Sequence, residues 1–141
     1  MKRLATARWN GGLKDGNGTI STQSGVLDDT RYSFGTRFED GKGTNPEELI
    51  GAAHAGCYSM ALSMILSQAD LTPDYIETKA TVTLEQVDGA FAVTMIHLDV
   101  SAKVPGASEA QFMEAANAAK SGCPISKALK PAITMEAVLN D

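Results

Sequence analysis

Two cysteines, Cys57 and Cys123, are the thiols of this 141-residue chain, and they stand in different settings. Cys57 lies inside LIGAAHAGCYSMALSMIL, Leu49 to Leu66, an eighteen-residue run with no formally charged side chain. A thiol attacks as its thiolate, which forms near a cation or a helix N-terminus. Cys57 falls about a dozen residues into a helix, beyond the reach of the N-terminal dipole, and an apolar setting raises a thiol pKa. On the residues alone, a small buried hydrophobe describes Cys57 better than a nucleophile does. Cys123 precedes Pro124, where an N-cap belongs, so a thiolate and a plain loop residue are both open for it. The two cysteines are 66 positions apart, and only the fold decides whether they come within disulfide range.

Other residues bear on the same chemistry. His54 precedes Cys57 by three residues, which puts both on one helix face and makes a Cys/His nucleophile pair, and with it a hydrolase, conceivable. Arg37 reads by pattern as a solvated arginine and Glu47 as an acid in the first turn of a helix. Ten residues of helix separate Glu47 from Cys57 by about 15 Å along the axis, so they cannot touch within one helix. Two copies packed antiparallel across a two-fold axis would let Glu47 of one approach Cys57 of the other. Metal binding has little support: two His, two Cys, no Cys pair at two-residue spacing, and His97 far away on a strand.

These side chains need elements to hold them. Leu4 to Trp9 alternates as a strand, and further short strands fit Thr19 to Thr22 and Thr30 to Phe38. Gly11, Gly12, Asp15, Gly16, Asn17 and Gly18 supply turns and match neither phosphate-loop pattern. Asn45 as cap, Pro46 as first helical residue and Glu48 three after the cap start a long helix that runs to about Ala69. Ile76 to Glu85 alternates as a strand, Asp88 and Gly89 turn the chain, and Ile96 to Val104 returns antiparallel. Ser108 with Gln111 resembles a capping box, Phe112 to Lys120 is helical, and Cys123 with Pro124 opens one or two more turns. Ile133, Met135, Ala137 and Leu139 alternate as a last strand. The order β, β, β, long α, β, β, α, α, β, without repeats or linkers, describes one α+β domain over residues 1–141.

The totals exclude several classes. A net charge of −5, a pI near 5.0 and 6% aromatic residues leave no basic stripe for nucleic acid. The Leu49 to Leu66 run reaches the length of a membrane span, but Gly51, His54, Gly56, Ser59 and Ser63 interrupt it, and Glu47, Glu48 and Asp70 flank it without a nearby cation. A helix apolar on all sides is otherwise a buried central one, and a second subunit would complete its burial. No apolar core follows the basic start in residues 1–20, so the expectation is a cytoplasmic protein whose thiols stay reduced unless a disulfide is transient and functional.

The stretch TRFEDGKGTNPEELIGAAHAGCYSMALS, with the later AKSGCPISKAL, resembles the OsmC/Ohr family. The similarity also takes in WNGGLKDGNGTISTQSGVL and the AITMEA strand, so it spans essentially the whole chain. The resemblance implies a peroxidase that reduces organic hydroperoxides, and hydrogen peroxide less efficiently, with paired cysteines and no metal, haem or flavin. It assigns Cys57 as the peroxidatic cysteine and Cys123 as the resolving one, reversing the order their settings alone gave. It matches the family's arginine to Arg37 and its glutamate to Glu47, the arginine held by the glutamate near the reactive sulfur. The implied fold is an intertwined homodimer, sheets from both chains wrapping long central helices, with two active sites at the interface. An external dithiol, in the family often that of a lipoyl protein, would reduce the resulting disulfide. Gly56 stands where a slightly larger small residue is common. Leu49, Ile50, Tyr58, Met60 and Met64 could contribute to an apolar wall, with core packing the first expectation for each. A thiol sensor or binding module without turnover is the alternative.

Overall fold

The computed structural model describes residues 1–129 and 131–141. They form two compact units, Met1–Leu49 and Ile50–Asp141.

In the first unit, β1 (Ala5–Asn10), β2 (Asn17–Thr22) and β3 (Thr30–Tyr32) pair antiparallel in the order β1-β2-β3. The strand expected over Thr30 to Phe38 stops at Tyr32, and Phe34–Phe38 forms a short helix, α1. The cause is local. The Ser33 hydroxyl accepts from the Thr36 N–H at 3.2 Å, and Thr36 Oγ1 accepts from the Ser33 N–H at 2.8 Å, a reciprocal cap that outcompetes a strand ladder. Phe34 and Phe38, two of the residues that looked like one strand face, become helix neighbours four apart with ring centroids 4.8 Å apart.

The long helix, α2, covers Pro46–Gln68. Asn45 Oδ1 accepts from the Glu48 N–H at 2.8 Å, as the cap pattern required. At the other end Asp70 takes a left-handed conformation (φ 58°). The Asp70 N–H donates to Ser67 O at 3.1 Å and the Leu71 N–H to Leu66 O at 3.0 Å, a Schellman closure with aspartate where glycine is commonest.

In the second unit, β4 (Tyr75–Val87) and β5 (Ala90–Lys103) form a long antiparallel hairpin. Asp88 (φ 52°) and Gly89 (φ 81°) supply the two left-handed residues of its tight turn. After β5 come α3 (Glu109–Gly122), α4 (Pro124–Ala128) and β6 (Ala132–Asn140). The Ser108–Gln111 capping box is present, so α3 starts three residues before the expected Phe112 and ends past Lys120. One feature departs from an all-antiparallel sheet: β6 lies parallel to β5, with Met95 opposite Ala132 and Lys103 opposite Asn140. The two intervening helices carry the chain back to the same end of the sheet, the crossover a parallel pair requires. Tyr58, Leu62 and Leu66 of α2, Ile96, Leu98, Val100 and Ala102 of β5, and Phe112, Ala115, Ala116 and Ala119 of α3 make the core. Gly51 packs α2 against β4, where an added Cβ would make ordinary contacts 3.4 Å from Val82 Cγ2 and 3.5 Å from Ala80 O.

By length and hydropathy α2 passes for a membrane span, yet Gly51, His54, Tyr58, Leu62 and Leu66 form a stripe buried within the unit. The rest of the helix is not covered within the single chain. Met60 is 77% and Met64 58% exposed, because one chain covers one face only.

Candidate active site

Cys57 and Cys123 meet. Their sulfurs are 2.7 Å apart, both as free thiols, Cys57 half-buried and Cys123 fully buried. Tyr58, next to Cys57, fixes this part of α2: its buried hydroxyl lies 3.2 Å from Ala116 O and 2.9 Å from Met135 Sδ. Cys123 is the hinge between two helices. Its N–H donates to Ala119 O at 3.0 Å, closing α3, and its carbonyl accepts from the Lys127 N–H at 3.1 Å, opening α4. Bringing the sulfurs to the bonded distance of about 2.05 Å needs a small movement.

The proton of this pair is unevenly held. Burial raises the pKa of Cys57, and the hydrogen bond to Cys123 raises it further, against a lowering by the Ile125 amide. Burial also pushes Cys123 upward, but hydrogen bonds from Cys57, the Ser126 and Ile125 amides and the Ser126 hydroxyl prevail and lower it. Burial and the neighbouring thiol thus work against a Cys57 thiolate, which a nearby cation would favour.

The His54/Cys57 pair that sequence spacing allowed does not form. His54 is fully buried, and its Nε2 lies 2.8 Å from Ser126 Oγ. Burial lowers its pKa, and its Nδ1 is buried with no partner among the described residues. Ser126 had no sequence signal beyond its place three residues after Cys123.

Arg37 and Glu47 also meet, in the first unit. Arg37 Nε lies 3.1 and 3.2 Å from the two Glu47 oxygens and Nη2 lies 2.7 Å from Oε1, so the guanidinium grips the carboxylate along one edge. The same guanidinium stands 5.4 Å from the Phe38 ring centroid. Arg37 lines a cleft of about 270 Å³ with Trp9, Tyr32, Phe34, Phe38 and Pro46. Sequence reading missed this cleft. The signal was the aromatic residues around Arg37, hidden by a strand reading that put Tyr32, Phe34 and Phe38 on one face and Arg37 on the other. Of the residues considered for an apolar wall, Tyr58 is core, Leu49 and Ile50 are half-buried, and Met60 and Met64 are exposed. Among the described residues one group of metal-capable side chains converges: His97 Nε2 lies 3.3 Å from Asp99 and 4.0 Å from Glu136, and neither cysteine belongs to it.

Comparison with known proteins is consistent across three measures. The family model described as OsmC-like protein matches residues 39–138. The chain is 53% identical over 136 residues to the peroxiredoxin OsmC of Escherichia coli (strain K12), covering 96% of this chain and 95% of that one. It is 33% identical over 114 residues to the organic hydroperoxide resistance protein OhrB of Bacillus subtilis (strain 168), covering 80% and 82%. The crystal structure of that B. subtilis protein superposes with a TM-score of 0.69 at 26% identity, over 97% of this chain and 98% of the other. An OsmC-like protein from Mycoplasma pneumoniae gives a TM-score of 0.78 at 18% identity over 100% and 99%, a likeness of fold alone.

Proposed function

This chain belongs to the OsmC/Ohr family, and from that membership we propose that it is a thiol peroxidase that reduces organic hydroperoxides. The observation that carries the proposal is the meeting of its two thiols, 2.7 Å apart, inside that fold. The names of the relatives, a peroxiredoxin and a hydroperoxide resistance protein, support the same class of reaction.

In this reading Cys57 is the peroxidatic residue. Its thiolate attacks the distal oxygen of R–O–O–H, the O–O bond breaks, and the alkoxide takes a proton and leaves as an alcohol. The sulfur is left as a sulfenic acid. Cys123, at contact distance, displaces the sulfenic oxygen as water and closes a disulfide. A dithiol donor then opens it, one sulfur at a time; a lipoyl protein supplies a dithiol of this kind. Hydrogen peroxide is the slower substrate. No metal or organic cofactor enters any step.

Arg37 supplies the cation that Cys57 lacks within its own unit, with Glu47 fixing the guanidinium. The shared site requires a homodimer, in which a second copy covers the exposed Met60 and Met64 face of α2 and brings its own Arg37 and Glu47 to the thiol pair. The aromatic cleft beside Arg37 suits the organic group of a hydroperoxide better than water or hydrogen peroxide, since transfer of apolar surface into it is favourable. The protein works in the cytoplasm, where thiols are kept reduced, and needs neither nucleic acid nor membrane.

The test is steady-state consumption of cumene hydroperoxide and hydrogen peroxide with a dithiol reductant. Turnover of both, faster with cumene hydroperoxide and absent in Cys57→Ser, is the expected result. Thiol oxidation without turnover would instead make the protein a sensor.

A further inference from the structure

The thiol contact is one of two side-chain contacts of the same form that tie α4 to α2. His54 precedes Cys57 by three residues on α2, and Ser126 follows Cys123 by three at α4, so each pair is separated by about one helical turn. They meet as two rungs: Cys57 Sγ to Cys123 Sγ at 2.7 Å, and His54 Nε2 to Ser126 Oγ at 2.8 Å. The short helix on the far side of these rungs has little else to seat it. Ser126 is the buried residue of α4, Ile125 and the following Leu129 are half-buried, Pro124, Lys127 and Ala128 are exposed, and Cys123 caps the helix without a side-chain hydrogen bond. The His54 rung is also kept at a cost. His54 is 0% exposed and its Nδ1 is buried with no partner among the described residues, a penalty that an apolar side chain in its place would avoid. The tautomer with its proton on Nε2 donates to Ser126 Oγ and leaves Nδ1 a bare acceptor, whereas the other would bury an N–H without a partner.

We propose that His54 and Ser126 are positioning residues whose hydrogen bond seats α4 on α2, so that Cys123 closes on an oxidised Cys57 before a second peroxide reaches it. This rests on the two-thiol reading above and gives the buried pair a part in it. A sulfenic acid on Cys57 has two competing fates. In closing, the Cys123 sulfur bonds the Cys57 sulfur, the S–O bond breaks, and the oxygen leaves as water with the proton of the Cys123 thiol. In the competing step the sulfenic sulfur takes an oxygen from a second hydroperoxide, whose O–O bond breaks and whose remainder leaves as an alcohol. The product is a sulfinic acid, which the disulfide cycle does not recover. Overoxidation rises with peroxide concentration, whereas closure depends on how often Cys123 stands at contact with Cys57. A seated α4 has already lost the freedom that closure would otherwise have to remove. The first attack of peroxide on Cys57 involves neither member of the His54 rung.

The test begins without peroxide. The equilibrium constant for forming the Cys57–Cys123 disulfide is measured in mixtures of reduced and oxidised dithiothreitol, by the mass of alkylated chains, in the parent, Ser126→Ala, Ser126→Thr, His54→Leu, His54→Gln and the double variant His54→Leu with Ser126→Ala. Ser126→Ala and His54→Leu should each weaken the disulfide several-fold, up to about 10-fold, the range that one intramolecular hydrogen bond spans. Ser126→Thr, which keeps the hydroxyl, and His54→Gln, which keeps an N–H donor, should stay near the parent. The double variant should lose no more than the larger single loss, the mark of one shared contact. In excess cumene hydroperoxide, Ser126→Ala should form the sulfenic acid at the parent rate, close the disulfide several-fold more slowly, and accumulate Cys57 sulfinic acid where the parent does not. Equal constants in the parent and Ser126→Ala would overturn the proposal. Equal losses in the Thr and Gln variants, or a double variant that loses the product of the two single factors, would overturn it too, since they report only a disturbed core. Ser126→Ala deletes a single heavy atom and keeps the test decisive should His54→Leu fail to fold. The redox equilibrium needs no turnover, so a protein that failed to consume peroxide would refute the peroxidase while the seating of α4 is judged by the equilibrium alone.

Discussion

In the proposed reaction Cys57 is the nucleophile, yet burial and the neighbouring thiol both raise its pKa. A thiolate nucleophile reacts faster as pH rises through its pKa, so under the proposed role of Arg37 its cation would set activity near neutrality. Replacing Arg37 with Ala should lower the rate at pH 7 about 10-fold for each pH unit by which the thiol pKa rises, and raising the pH should recover much of it. Stopped-flow rates against pH decide this, and a profile unshifted from the parent would remove Arg37 from the reaction. His54 makes a separate prediction. Its pKa in the fold lies below its ordinary value of 6.5, so the folded state binds its proton less readily than the unfolded chain. Stability is therefore complete above about pH 6.5 and is lost as pH falls below it. Thermal melts from pH 7.5 to 5 should fall more steeply for the parent than for His54→Gln. At this scale the sequence revealed residue types and little of their relations. The apolar setting of Cys57 was readable, and burial raises its pKa; for Cys123 the sequence left a thiolate and a plain loop residue both open. Their contact was not, because 66 intervening positions leave the distance to the tertiary fold.

The elements were legible wherever one local signal acted alone. Asn45, Pro46 and Glu48 fixed the start of α2, and Asp88–Gly89 fixed the hairpin. The stretch Thr30 to Phe38 misled because two signals coincide there: alternation in hydrophobicity, and a Ser33/Thr36 cap that the alternation conceals. The parallel placement of β6 was illegible for another reason, since strand direction depends on the path of α3 and α4 rather than on any pattern within β6. The caps carry measurable weight. Asn45→Ala should cost about 1 kcal/mol in denaturant unfolding through loss of the Glu48 N–H acceptor. Asp70→Gly should do the opposite and add about 0.5 kcal/mol or more, because the left-handed conformation that Asp70 holds is free of a Cβ penalty in glycine. An unchanged midpoint for either would mean that the helix end is held by packing alone.

For the whole molecule, the apolar run that sequence alone could not place between core and membrane separates into a buried stripe and an exposed methionine face. Its composition showed that something must cover the helix, and the fold shows which half remains to be covered. If a second copy covers it, Met60→Glu with Met64→Glu should give a monomer by light scattering, at least 10-fold less active, a loss of the size expected when electrostatic stabilisation from a partner is removed. A parent protein already monomeric would contradict the shared site. The most direct measurement is the count of free thiols after one equivalent of cumene hydroperoxide is added to reduced protein, in the parent, Cys57→Ser and Cys123→Ser. A two-cysteine peroxidase loses both thiols of each parent chain at once, does not react in Cys57→Ser, and stops at a trappable Cys57 sulfenic acid in Cys123→Ser. Two thiols surviving in the parent would contradict the peroxidase and return Cys57 to the status of a buried structural cysteine.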